Sequence, residues 1–142
     1  EALKCCYDIK LERCASPEKA FAIIDASDTA AREQKVALTS AKGSGIISFP
    51  DPRANMAAGT LQDFLDGFLK DNPQVVIDYI HGTESMLSLA AKPGNLGLYL
   101  PPIDKGGFFG TVIRDGVMPR KTFSMGEAPE KRFYIEARRI TK

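Results

Sequence analysis

Tryptophan is absent from the 142 residues, histidine occurs once, as His81, and cysteine three times, as Cys5, Cys6 and Cys14. One histidine far from the cysteines in sequence argues against a zinc site of the usual nitrogen and sulfur ligands. An odd cysteine count crowded into one end is a poor disulfide framework, and neighbouring cysteines bridge only with strain. Reduced thiols in a cytoplasmic protein are the expectation, with a redox or metal role as the competing reading. No apolar run approaches the ~18 residues that a membrane helix requires. The start shows no basic-then-apolar leader pattern. Glu1-Ala-Leu-Lys-Cys-Cys-Tyr7 reads as the end of a helix, so the expectation is a piece of a longer protein. Internal repeats and low-complexity tracts are also missing.

What is present is ordinary for a globular chain: 44% hydrophobic and 26% charged residues, with a formal net charge of +1. A chain of this length fits one domain, residues 1–142, which buries roughly two thirds of its unfolded surface. A near-neutral charge and the lack of a basic aromatic repeat argue against a nucleic-acid partner.

The patterning predicts an α/β (α+β) chain with the order β-α-β-β-α-β-α-β-α-β. Residues 7–13 alternate as a half-buried strand. Ser16-Pro17-Glu18 opens a helix with a cap, a proline in the first turn and an acid at the positive dipole end. That helix carries Phe21 and Ile24 inward and ends near Ser27-Asp28. Val36 and Leu38 mark the next strand, Ile47 and Phe49 the one after, and Gly43 and Gly45 between them signal a hairpin. Leu61, Phe64, Leu65, Phe68 and Leu69 form one stripe of a helix over 60–71, capped by Thr60 and closed by Asn72-Pro73. Val75-Val-Ile-Asp-Tyr-Ile80 is apolar on both faces, as a central strand requires.

A short helix capped by Thr83 follows, and Leu96, Leu98 and Leu100 mark a strand stopped by Pro101-Pro102. A further helix, capped by Asp104, carries Phe108, Phe109, Val112 and Ile113 and stops at Gly116. A terminal strand is predicted where Phe133, Ile135 and Ala137 alternate with polar neighbours. A hairpin inside such an order argues for a mixed sheet covered by helices. The first six strands and helices follow the order of a ferredoxin-like βαββαβ unit.

The small net charge hides an asymmetry. From Pro119 onward the chain carries seven basic and three acidic residues, a local +4, against twelve and fifteen before it, or −3. Arg120, Lys121, Lys131 and Arg132 are interleaved with Thr122, Ser124 and Gly126, the residue types that gather round a bound oxyanion. The reading from these residues is a site for a small anion, a phosphorylated metabolite or nucleotide. A solvated loop paired with Glu127, Glu130 and Glu136 is the bland alternative. The segment is no Walker loop, since no glycine-rich run precedes Lys121-Thr122 at the required spacing.

His81 stands where the predicted central strand meets a helix, a place where α/β sheets often bind ligands. It either assists an anion or makes local hydrogen bonds, and Glu84 in the first turn compensates the dipole. Lys105-Gly106-Gly107 allows either approach to a phosphate or a tight entry turn. No nucleophile with a base and no metal set can be assembled, and the residues leave any cofactor open.

Gly59-Thr-Leu-Gln-Asp-Phe-Leu65, Asp78-Tyr-Ile-His-Gly82, Lys92-Pro-Gly-Asn-Leu-Gly97, Leu100-Pro-Pro, Met118-Pro-Arg-Lys-Thr-Phe-Ser-Met-Gly-Glu-Ala128 and Lys131-Arg-Phe-Tyr-Ile-Glu136 resemble a known pattern. It is that of the C-terminal part of a bacterial and archaeal family catalogued as domain of unknown function 1015. The resemblance covers residues 59–140 and assigns no activity. It implies that members are considerably longer, with a Gly-His-His-Arg motif that this chain lacks. The expected partner is then the N-terminal part of the same parent protein, docked on a non-catalytic module if no small ligand is bound.

Overall fold

The computed structural model describes residues 2–28, 32–102 and 108–116. A four-stranded sheet in the order β1-β3-β2-β4 stands at its centre. Its strands are β1 (Lys10–Cys14), β2 (Gln34–Ser40), β3 (Gly43–Phe49) and β4 (Gly97–Tyr99). Every pairing is antiparallel, with Leu11 opposite Ile47, Val36 opposite Ile47 and Ala37 opposite Tyr99. The α+β class stands, and among the described residues the sheet is antiparallel throughout rather than mixed. Five helices complete the described residues: α1 (Ala2–Cys6), α2 (Pro17–Asp25), α3 (Ala57–Asp71), α4 (Thr83–Ala90) and α5 (Phe108–Asp115).

β1, α2 and β2 form a split βαβ arrangement with β3 running back between the two strands. That is the first half of the expected ferredoxin-like unit. The strand meant to complete it, residues 75–80, does not join the sheet. The chain there has no strand pairing among the described residues, and Val76 is 87% exposed. β-branched residues favour extended backbone, but only a free neighbouring edge turns extended backbone into sheet. The predicted strand at 133–137, Asp104 and the Lys105-Gly106-Gly107 stretch lie outside the described residues.

Strand alternation sends two sets of side chains to opposite faces. On one face Ala37 and Ile46 meet Ala20, Phe21 and Ile24 of α2 and Met86 and Ala90 of α4. On the other, Val36, Ile47 and Phe49 meet Tyr7, just after α1, and Ala57 and Leu61 of α3. The two cores share the sheet as their common wall, which fixes the strand register: a slip by one residue would exchange their contents.

Local chemistry explains most element ends. Ser16 caps α2 by accepting from the Lys19 backbone N–H at 3.3 Å, and Pro17 occupies the first turn. The β2–β3 turn is Ala41-Lys42, and Gly43, with φ of +121°, begins the return strand. Gly116, at φ +78°, ends α5 by donating its N–H to the Val112 carbonyl. β4 is short because it runs through Leu100 into Pro101-Pro102, residues without the N–H that a ladder needs.

α3 starts a turn earlier than the sequence predicts, with Met56 as an N-cap that makes no side-chain bond. Thr60 is therefore not the cap. Its hydroxyl donates to the Gln34 side chain at 2.8 Å and accepts from the Ala54 N–H at 3.4 Å. Likewise Gly82, not Thr83, precedes α4 as its N-cap.

Candidate functional site

Six of the seven residues expected to bind an anion, Arg120, Lys121, Thr122, Ser124, Lys131 and Arg132, lie outside the described residues. His81 is described. It is exposed, follows residues 75–80 and directly precedes Gly82, whose φ of +90° turns the chain into α4. Because Gly82 offers no side chain, the first turn of α4 has no side-chain cap. Glu84 occupies that turn as the sequence suggested.

A polar hub, not legible in the sequence, holds the N-terminal side of the molecule. Tyr7 is buried, and its hydroxyl donates to the Thr60 carbonyl at 3.2 Å across 53 positions. Its ring meets Phe49 edge-on at 5.6 Å, and the Arg53 guanidinium lies 4.8 Å from the ring centroid. Arg53 also donates to the Cys6 carbonyl at 3.1 Å, satisfying an open group at the end of α1. Gln34 donates to the Ala54 carbonyl at 2.7 Å, so the loop from β3 to α3 is tied to β2. Burial pushes the Tyr7 hydroxyl above its ordinary pKa, and Arg53 partly opposes that rise.

An open depression of about 550 Å³ lies beside this hub, lined by Lys4, Cys5, Cys6, Tyr7, Asp8 and Ile9. Cys5 and Cys6 are exposed free thiols and Cys14 is half-buried. Among the described residues no three His, Cys, Asp or Glu side chains converge on a metal position. Among the described residues no histidine lines the depression beside the thiols, so no thiol–imidazole pair forms there. A second depression of about 530 Å³ lies near Ser40, Ser44 and Leu87. Its Thr39 and Ser44 hydroxyls already bond each other at 3.1 Å.

Apolar surface is the stronger signal. In α5, Phe109 is 74%, Val112 37% and Ile113 84% exposed. Its far end is fixed by polar contacts: Asp115 accepts from the Asn55 N–H at 2.7 Å, and Arg114 donates to the Asn55 side chain at 3.2 Å. The 75–80 segment exposes a second set, in which Tyr79 donates its hydroxyl to Gln62 at 3.0 Å. Gln62 in turn donates to Asp66 at 2.7 Å. No helix among the described residues is long and apolar enough to cross a membrane.

No family model, no curated protein and no solved structure matches this chain.

Proposed function

We propose that the chain is a structural and interaction module that docks onto the N-terminal part of a longer parent protein. The observation that carries this reading is α5, pinned at Asn55 by Asp115 and Arg114 while Ile113 and Phe109 stay mostly exposed. Large apolar side chains grouped on one helix and left towards water are the usual mark of a binding face. The resemblance expected of residues 59–140 to domain of unknown function 1015, whose members are longer, is compatible with this reading although no family model matches the chain. Free Cys5, Cys6 and Cys14 agree with a reducing compartment, and we place the parent in the bacterial cytoplasm.

The test is calorimetric titration of this chain with the N-terminal part of its parent. Truncated or charged anchors at interface centres cost about 2 kcal/mol or more, so Ile113→Asp should weaken association by roughly thirtyfold. Unaltered affinity would remove the proposal's main support.

A second reading rests on His81 and the side-chain-free N-cap at Gly82. There α4 and the basic segment together would hold a phosphorylated metabolite or nucleotide, with Arg120, Lys121, Thr122, Ser124, Lys131 and Arg132 as anion ligands. Titration with inorganic phosphate, ATP and phosphoserine decides it, and silence across all three sinks it.

A further inference from the structure

Residues 75–80 present a surface that α5 does not account for. After α3 ends, the Val75 N–H bonds back to the Asn72 carbonyl at 3.0 Å, and the chain then runs without helix or strand to Tyr79, whose hydroxyl reaches Gln62 of α3. Both its faces are apolar except at Asp78, the composition of a strand flanked on each side. Val75, Val76, Tyr79 and Ile80 are nonetheless 39%, 87%, 46% and 36% exposed. Asn72 and Gln62 hold the segment's ends in place, so its backbone is presented rather than loose.

The charge around it has one sign. Residues 57–91 carry Asp63, Asp66, Asp71, Asp78 and Glu84 against Lys70 alone, a sum of −4 with His81 neutral. The part of this chain with the opposite excess is the stretch from Pro119, at +4, in which Lys131, Arg132, Arg138 and Arg139 bracket Phe133, Tyr134 and Ile135. We propose that the surface formed by residues 75–80 and the flank of α3 is the docking site for the chain's own residues 131–140.

Reach permits it. α5 ends beside Asn55, just before α3, because Asp115 bonds the Asn55 N–H. The fourteen residues 117–130 span up to about 45 Å when extended. α3, at fifteen residues, is about 22 Å long. Apolar contact supplies the affinity and the opposed charges set the orientation. Arg138 and Arg139 lie outside both the exposed face of α5 and the anion ligands of the second reading, so this docking can be tested apart from either.

Hydrogen exchange of the full chain, read by mass spectrometry on the peptide covering 74–81, tests the inference. Arg138→Glu with Arg139→Glu should speed exchange there about tenfold, as should Asp78→Lys, by opening a local unit. Combining Asp78→Lys with Arg138→Glu should restore most of the protection. Unchanged exchange in the single-site series, acceleration shared equally by the β2–β3 hairpin, or no recovery in the swapped pair would each overturn it. Protection that grows with protein concentration would also overturn it, by showing that a second copy supplies the segment. Neither Arg138 nor Arg139 belongs to the anion ligands of the second reading, so phosphate titration fails or succeeds separately.

Discussion

Tyr7 and Tyr99 each pack a ring into a core and send a hydroxyl to a residue more than fifty positions away. Tyr99 stacks on Phe21 at 4.4 Å and donates to the Asp25 carboxylate at 2.8 Å. Burial raises the pKa of both phenols, and for Tyr99 the Asp25 hydrogen bond and charge add to the rise. A raised folded pKa means that the native state holds its protons longer than the unfolded chain. Stability from this source is therefore complete below pH 10, the ordinary tyrosine value, and falls as pH climbs from there through the folded value. Denaturant midpoints measured between pH 8 and 11.5 should decline above 10, and more shallowly in Tyr7→Phe and Tyr99→Phe. Tyr7→Phe should also cost about 1 kcal/mol at neutral pH for the lost hydrogen bond. A slope identical to wild type in both variants would contradict the assignment.

At the scale of elements, the closeness of neighbouring strands and helices is set by two glycines. A Cβ on Gly45 of β3 would stand 2.5 Å from the Glu12 carbonyl oxygen of β1, an atom that cannot move without the strand. A Cβ on Gly97 of β4 would meet the Met86 sulfur at 2.5 Å and the Ala90 methyl at 3.0 Å. Methionine repacks readily, the backbone of a paired strand does not. Gly45→Ala should therefore destabilise by about 3 kcal/mol and Gly97→Ala by about 1 kcal/mol in urea unfolding. Equal losses would show that β1 can shift as easily as a side chain.

Elements whose signals are local were legible in advance. Ser16-Pro17-Glu18 states where α2 begins, two alternating runs around a glycine state a hairpin, and the leucine and phenylalanine stripe states α3. Residues 75–80 were misread because their composition records a preference for extended backbone and says nothing of an available edge. Thr60 was misread because a hydroxyl before an apolar stripe suits a cap equally well as a tertiary bond, and Gln34 is twenty-six positions away. The hub of Tyr7, Arg53, Gln34 and Thr60 left no local trace for the same reason. Of the expected ligand residues, His81 alone falls within the described residues.

Among the described residues, both edges of the sheet carry features that keep it from growing. β1 lines one edge with Lys10, Glu12 and Arg13, and β4 leads into Pro101-Pro102, both devices that discourage strand addition.

The sheet order has a consequence for how the molecule assembles in time. β2 and β3 are joined by two residues, whereas β1 reaches β3 across about thirty positions and β4 reaches β2 across about sixty. Closing long loops is entropically costly before their contacts form. The expected nucleus is thus the β2–β3 hairpin at the middle of the sheet, with the first-made and last-made strands arriving afterwards. Folding kinetics of Val36→Ala should give a φ-value well above those of Tyr7→Phe and Leu98→Ala. The reverse ranking would mean that the outer strands lead. On this order, a ribosome that has released residues up to Phe49 has already delivered the template on which both later and earlier segments must settle.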